Sequence, residues 1–150
     1  MSALLDAFAP GSIATRVAAD NPEEALRKVG ELLVASGRTL PSYTHEMISA
    51  MDEFGPYFVL APGIAIAHAK PSASVISTGM ALAVLNEPLE FGSAHNDPVQ
   101  LLFALCATDH DGHIEVLAEL AELLSRVELV KSLLNKSTED EIRKTLADAL

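Results

Sequence analysis

Two continuously apolar segments constrain the fold of this 150-residue chain more than any other feature. Residues 80–85 and 101–107 each contain no polar side chain. The longer run has seven residues, whereas about 20 are needed to cross a bilayer, so both segments are predicted to be central strands covered on both faces. Helices must then pack on both sides of the sheet. The pattern predicts an α/β fold, namely a three-layer α/β/α sandwich with a central mixed β-sheet flanked by helices.

Capping and periodicity signals place the other elements of the first two thirds of the chain. Asp20-Asn21-Pro22 supplies an N-cap and a proline at the first helical position, which predicts a helix over about 22–36. A stripe from Tyr43 to Phe54, closed by Gly55-Pro56, predicts a second helix. Strands are predicted at 13–18, 58–60, 64–67, 75–85 and 99–107, with a short separate piece at 89–91.

The C-terminal third returns to helical signals. An amphipathic helix is predicted after residue 109, with an apolar face and an opposite, solvated face of glutamates. The apolar face is Ile114, Leu117, Ala118 and Ala121, and the acidic face is Glu115, Glu119 and Glu122. A short helical piece is expected over about 127–134. Thr138 with Glu141 forms a capping box that predicts a last helix.

Charge and cysteine content exclude several functions. The chain has 10 Lys and Arg residues against 21 Asp and Glu residues, a net charge of −11, so it lacks the basic surface that nucleic acid requires. Residues 1–150 are expected to form a single domain, and the absence of a basic, apolar leader favours a cytoplasmic location. Cys106 lies in an apolar run and is expected to be a buried small hydrophobe.

Histidines are the main reactive side chains, and His68 and His113 have the most informative surroundings. His68 follows a predicted strand and is flanked by Ala67 and Ala69, small residues that would leave the imidazole approachable. His113 falls in the first turn of a predicted helix capped by Asp109 or Asp111. A helix N-terminus disfavours an imidazolium and attracts anions, so a phosphoryl group would be favoured there.

Other chemistry is less well supported. His110 and His113 with Asp109 and Asp111 offer a weak metal-ligand pattern, which capping and turn formation also explain. His45 and His95 are expected to be solvated. No serine lies in a Gly-x-Ser-x-Gly elbow, so hydrolase chemistry is set aside.

The segment 55–71 resembles the active-site segment of the enzyme IIA components of the bacterial phosphoenolpyruvate-dependent sugar phosphotransferase system (PTS), of the mannitol/fructose type and closest to the ascorbate branch. The central residues of that segment are Pro62-Gly63-Ile64-Ala65-Ile66-Ala67-His68-Ala69-Lys70-Pro71. The resemblance continues through Ser77-Thr78-Gly79, Glu90-Phe91-Gly92, Asn96-Asp97-Pro98-Val99 and His113-Ile114, and ends in residues 117–124. Ala67 stands where the family usually has proline, and Lys70 stands where arginine is frequent.

The resemblance implies a phosphoryl carrier, a phosphotransferase component without metal or organic cofactor. His68 would accept a phosphoryl group from the phosphocarrier protein HPr and pass it to a cysteine of an enzyme IIB component, and hence indirectly serve a membrane enzyme IIC permease. His113 would support the phosphoryl group, and Lys70 could contribute a charge. The alternative is a regulatory protein of the same fold whose phosphorylation at His68 controls binding to a target protein. The sequence is compatible with a homodimer, and no motif in it identifies the transported sugar or sugar acid.

Overall fold

The structure is a computed structural model that describes residues 3–150, with the side chain of His110 outside the described part. Its helices are α1 (Ala3–Ala7), α2 (Pro22–Ala35), α3 (Pro41–Phe54), α4 (His110–Leu124), α5 (Val127–Leu134) and α6 (Glu139–Ala149). Its strands are β1 (Ile13–Val17), β2 (Val59–Ala61), β3 (Ile64–His68), β4 (Gly79–Leu89) and β5 (Val99–Cys106). No described helix has the length and apolar character needed to span a membrane.

The five strands form one mixed sheet in the order β1-β4-β5-β3-β2. The two apolar segments lie on β4 and β5, which pair antiparallel near the middle of the sheet, as the sequence predicts. β1 runs parallel to β4, and β3 runs parallel to β5 with His68 opposite Leu105. The three-layer α/β/α prediction is confirmed.

Side-chain alternation along the strands produces two separate cores. On β3, Ala65 and Ala67 pack with α2 and α3 on one face of the sheet. Ile64 and Ile66 pack on the other face with α1, α4, α5 and α6. The parity of the strand therefore decides which helices any given β3 side chain can meet.

Helix α4 buries a different face from the predicted one. Val116, Leu120 and Leu123 are buried, whereas Ile114 is 63% exposed and both Ala118 and Ala121 are exposed. Of the predicted face, Leu117 alone packs against the core, and it is partly buried. The helix carries two apolar stripes, and the sheet selects the one whose larger side chains fill the space between the layers. Glu119 also departs from a purely solvated face, because Oε2 accepts a hydrogen bond from the backbone nitrogen of Leu4 at 2.8 Å.

Two boundaries predicted from the sequence are also wrong. β4 begins at Gly79 and continues to Leu89, so residues 75–78 are not strand and Leu89 is not a separate piece. The polypeptide before Gly79 instead binds the loop after α2, where the carbonyl oxygen of Arg38 accepts from the backbone nitrogens of Ile76 and Ser77. Helix α1, which has five residues, is a further element that the sequence pattern does not predict.

Candidate active site

His68 is the last residue of β3, and strand parity places it on the same sheet face as Ile64 and Ile66. That face is covered by α4. The side chain is half-buried, since the strand ends at the edge of the core. Ala67 has the opposite parity and is 1% exposed, so its small size does not open the approach to the imidazole. Ala69 does line the cleft beside the ring, as expected.

A main-chain contact defines the protonation pattern of the His68 ring. Nδ1 lies 2.8 Å from the carbonyl oxygen of Ile66. Because a carbonyl oxygen can only accept, Nδ1 must carry the proton of the neutral imidazole in this arrangement. Nε2 then keeps its lone pair. This tautomer presents an unprotonated nitrogen away from the strand.

His113 reaches His68 from the first turn of α4. Asp109 caps this helix, and its Oδ1 accepts from the backbone nitrogen of Gly112 at 2.9 Å. His113 lies three residues before Val116, so it shares the buried side of the helix and faces the sheet. The His68 and His113 rings meet edge to face with their centroids 5.5 Å apart. The two histidines that the sequence singles out are thus brought together.

Tyr57 covers the other side of His68. Its hydroxyl donates to the carbonyl oxygen of His68 at 2.7 Å, and its ring lies edge to face with the imidazole at a centroid distance of 5.3 Å. Partial burial raises the pKa of Tyr57 above its ordinary value, so the hydroxyl stays a donor at neutral pH. Phe54 packs on the Tyr57 ring at 6.2 Å and is itself 63% exposed.

Tyr43 fixes the chain immediately after His68. Its buried hydroxyl donates to the carbonyl oxygen of Leu105 at 2.7 Å and accepts from the backbone nitrogen of Ala69 at 3.0 Å. Burial raises the pKa of this phenol above its usual range. Tyr43 therefore ties the residue after His68 to the strand that pairs with β3.

These side chains surround a cleft of about 430 Å³. Its lining comprises Ala50, Phe54, Tyr57, His68, Ala69, Lys70, Pro71 and His113. Lys70 is exposed and is the cation in this set, so it is available to an anion in the cleft. The rest of the lining is largely apolar, which suits contact with a protein surface better than with a sugar.

The remaining predicted residues lie apart from this cleft or outside the described part of the chain. His45 and His95 are exposed, in agreement with their expected solvation. Cys106 is 1% exposed, and burial raises the pKa of its thiol to about 11, which confirms a buried small hydrophobe. The metal-ligand pattern involves His110, whose side chain lies outside the described residues. Among the described residues, no cluster of three His, Cys, Asp or Glu side chains could hold a metal ion.

Tyr43, Phe54 and Tyr57 are site residues that the sequence reasoning missed. The helical spacing predicts Tyr43 only as part of a core stripe, because its hydroxyl contact with Leu105 spans 62 positions of sequence. Tyr57 lies inside the segment that carries the family resemblance, and this position is the sequence signal that could have identified it as a site residue. Phe54 ends the stripe of α3, where its exposure could not be read from spacing.

Comparison with protein families gives one match over nearly the whole chain. Residues 7–149 match the model described as "Phosphoenolpyruvate-dependent sugar phosphotransferase system, EIIA 2". A curated relative, the ascorbate-specific PTS system EIIA component of Escherichia coli, is 36% identical over 132 residues, covering 87% of this chain and 86% of the relative.

Solved structures with the same fold include two from Escherichia coli. The mannitol-specific cryptic phosphotransferase enzyme IIA has a TM-score of 0.85 and 31% sequence identity, with 97% of this chain and 98% of that chain covered. Enzyme IIA for mannitol, solved as a complex with phosphorylated enzyme IIB, has a TM-score of 0.81 and 25% identity, with 94% of this chain and 97% of that chain covered.

Proposed function

This chain belongs to the EIIA 2 family of the phosphoenolpyruvate-dependent sugar phosphotransferase system, and we propose that Nε2 of His68 is the atom on which it carries the phosphoryl group. Members of this family are phosphoryl carriers in sugar uptake, so the chain is a phosphotransferase component. The observation that carries the assignment is the 2.8 Å contact between His68 Nδ1 and the Ile66 carbonyl, which leaves Nε2 as the nucleophile. A neutral imidazole is a competent nucleophile near pH 7.

The first transfer proceeds from phosphorylated HPr. The lone pair of His68 Nε2 attacks phosphorus, a new P–N bond forms, and the P–N bond of the donor breaks with its electron pair returning to the donor imidazole. In the second transfer, the cysteine thiolate of an enzyme IIB attacks phosphorus, and the bond to Nε2 breaks. Both steps require the attacking and leaving atoms to lie in line with phosphorus and the charge on the phosphoryl oxygens to be neutralised. They require little further covalent chemistry from the protein.

We assign to His113 and Lys70 the role of neutralising the negative charge on the phosphoryl oxygens. The His113 ring lies against His68 at the positive end of the 15-residue helix α4, where a phosphoryl oxygen is favoured. Lys70 lines the same cleft and carries a mobile positive charge. A lysine binds phosphate as a point charge and lacks the bidentate geometry of arginine. Lys70 would therefore neutralise the charge of the phosphoryl group without fixing its orientation.

The partners follow from the same assignment. HPr donates the phosphoryl group and an enzyme IIB accepts it, so the carrier serves a membrane enzyme IIC only indirectly. The carrier acts in the cytoplasm. The similarity to ascorbate-specific EIIA components supports ascorbate or a related sugar acid as the transported substrate. The largely apolar cleft, with exposed Phe54 beside it, supports docking of proteins at His68.

The test is intact-protein mass spectrometry after incubation with phosphoenolpyruvate, enzyme I and HPr. The wild-type protein should gain one acid-labile phosphoryl group, and His68→Ala should gain none. His95→Ala is the matched control, because His95 is exposed and lines neither this cleft nor the groove beside it, and this variant should be labelled as wild type.

Onward transfer distinguishes the carrier from a regulatory protein. Labelled protein mixed with an ascorbate-type enzyme IIB should lose its phosphoryl group to the IIB cysteine. Labelling of His68→Ala would show that another residue is the acceptor. Stable labelling of wild type with no transfer to any enzyme IIB would favour the regulatory alternative.

A further inference from the structure

A second cleft lies at the opposite end of the sheet from His68. It has a volume of about 270 Å³, and its polar lining residues are Arg16, Asn86, Gln100, Asn135, Lys136 and Ser137. His68 pairs with Leu105 on β5, whereas Gln100 lies about 17 Å further along that strand. An occupant of this cleft would therefore not touch the histidine pair.

The cleft is electropositive in a strongly acidic protein. The chain has a net charge of −11, yet no aspartate or glutamate is among the described lining residues. Arg16 and Lys136 both line it, and neither takes part in the ion pairs formed among the described residues, which involve Arg27, Arg126, Lys131 and Arg143. Two cations without acidic partners thus converge on one polar cavity.

The backbone at Arg16 adopts a left-handed conformation that is unfavourable for a residue other than glycine. Arg16 has φ +53° and is the non-glycine residue with positive φ in the described chain. The pairing of β1 with β4 shifts register between Ala14 and Val17, so this conformation forms a bulge that redirects the Arg16 side chain. A bulky residue in the left-handed region costs free energy, and such residues concentrate at binding sites.

The loop between α5 and α6 is fastened to this bulge. Thr15 Oγ1 donates to the carbonyl oxygen of Ser137 at 2.6 Å, and Arg16 Nη2 donates to Ser137 Oγ at 3.3 Å. These two contacts fasten the residue after Lys136 to the bulge, and Lys136 and Arg16 line the same cleft. The bulge of β1 and the loop between α5 and α6 therefore place the two cations at the cleft.

We propose that the cleft formed by Arg16, Lys136, Asn86 and Gln100 binds a small phosphorylated sugar. Two cations match a phosphate monoester, which carries a charge of about −1.5 to −2 at pH 7, better than they match a single carboxylate. The amides of Asn86 and Gln100 and the hydroxyl of Ser137 can bind sugar hydroxyl groups. The cavity is slightly smaller than the roughly 300–1,000 Å³ of most small-molecule sites, which suits a sugar phosphate of five or six carbons.

The test is a nuclear magnetic resonance titration of the full chain with ribose 5-phosphate, gluconate and ribose. Ribose 5-phosphate should shift the side-chain amide signals of Asn86 and Gln100 with a saturating curve. Gluconate should bind at least tenfold more weakly, and ribose should not bind. Equal binding of gluconate would assign the site to carboxylates and overturn the choice of a phosphate.

Variants separate this site from general attraction of anions. Arg16→Gly removes the guanidinium and also relieves the positive φ, so the variant should fold and its affinity should fall at least tenfold. Lys136→Gln should have a similar effect. Lys28→Gln removes one exposed charge from α2 and should bind as wild type. Absence of saturable shifts in wild type, or equal weakening by Lys28→Gln, would overturn the proposal.

Discussion

The imidazole rings of His68 and His113 meet edge to face with 5.5 Å between their centroids, although 45 positions of sequence separate the two residues. Replacing His113 with Ala should leave the fold intact, because the side chain is only half-buried. Phosphoryl uptake on His68 should slow about 10- to 100-fold, as expected for loss of a hydrogen bond to a charged group worth about 1.5–3 kcal/mol. Rapid-quench labelling from phosphorylated HPr measures the rate. A rate equal to that of the His95→Ala control would make His113 structural.

The hydroxyl of Tyr43 should be worth more to stability than that of Tyr57. Tyr43→Phe leaves the Ala69 N–H and the buried Leu105 carbonyl without this partner, which should lower the free energy of unfolding by about 1–3 kcal/mol. Tyr57→Phe removes one exposed hydrogen bond and should cost under about 1 kcal/mol. Urea denaturation of the two variants checks the order. Equal losses would show that burial of the Tyr43 hydroxyl does not matter.

Gly30 is a site where alanine should destabilise a helix. A Cβ added to Gly30 would lie 2.2 Å from Thr44 Oγ1, so α2 and α3 would have to move apart. We expect Gly30→Ala to lower the free energy of unfolding by about 1–3 kcal/mol, although alanine is normally the better helix former by about 1 kcal/mol. Chemical denaturation measures the change. Adding Thr44→Ala removes two of the three contacting atoms and should restore part of the loss; no recovery would place the strain elsewhere.

Stability should fall in alkaline solution. Burial raises the pKa of Cys106 from 9.0 to about 11 and raises the pKa of Tyr43 as well, so the folded protein favours both neutral forms. The Cys106 contribution is complete below its unfolded pKa of 9.0 and is lost as the pH rises from there to about 11. The Tyr43 contribution is complete below its unfolded pKa of 10.0 and begins to be lost only above that pH. Each group contributes up to about 1.4 kcal/mol per pH unit within its window.

Urea denaturation at about pH 8 and about pH 10.5 tests this loss. Cys106→Ala should have a shallower pH dependence than wild type, because one of the two buried acids is gone. The comparison is between slopes, since the cavity left by the substitution lowers stability at both pH values. A wild-type free energy of unfolding that does not change between the two conditions would contradict the prediction.

Local sequence signals predict the helix caps and the central strands correctly. Asn21 caps α2 through a 2.8 Å bond from the Glu24 nitrogen, Asp109 caps α4, and Thr138 caps α6. The apolar runs of β4 and β5 lie inside the sheet, as their composition requires. Each of these features depends on interactions between residues a few positions apart, so a short segment of sequence is enough to predict it.

The face of α4 could not be chosen from its own sequence. Ile114 and Val116 lie on different sides of a helix whose apolar residues form one broad arc, and only packing against the sheet core that includes Ile66 and Leu105 makes the Val116 side the buried one. The choice matters for the site, because it turns His113 toward β3 and leaves Ile114 on the surface. Contacts between distant segments, such as Tyr43 with Leu105, are invisible to periodicity for the same reason.

The bond from His68 to the Ile66 carbonyl has a consequence for mutation. The partner of His68 Nδ1 is a main-chain oxygen, which every amino acid at position 66 supplies. Random substitution around the cleft can therefore alter the speed of the reaction or the choice of partner, but no side-chain replacement at position 66 deletes the group that orients the imidazole. Substitutions at position 66 should therefore leave the orientation of the His68 ring unchanged as long as β3 keeps its backbone path.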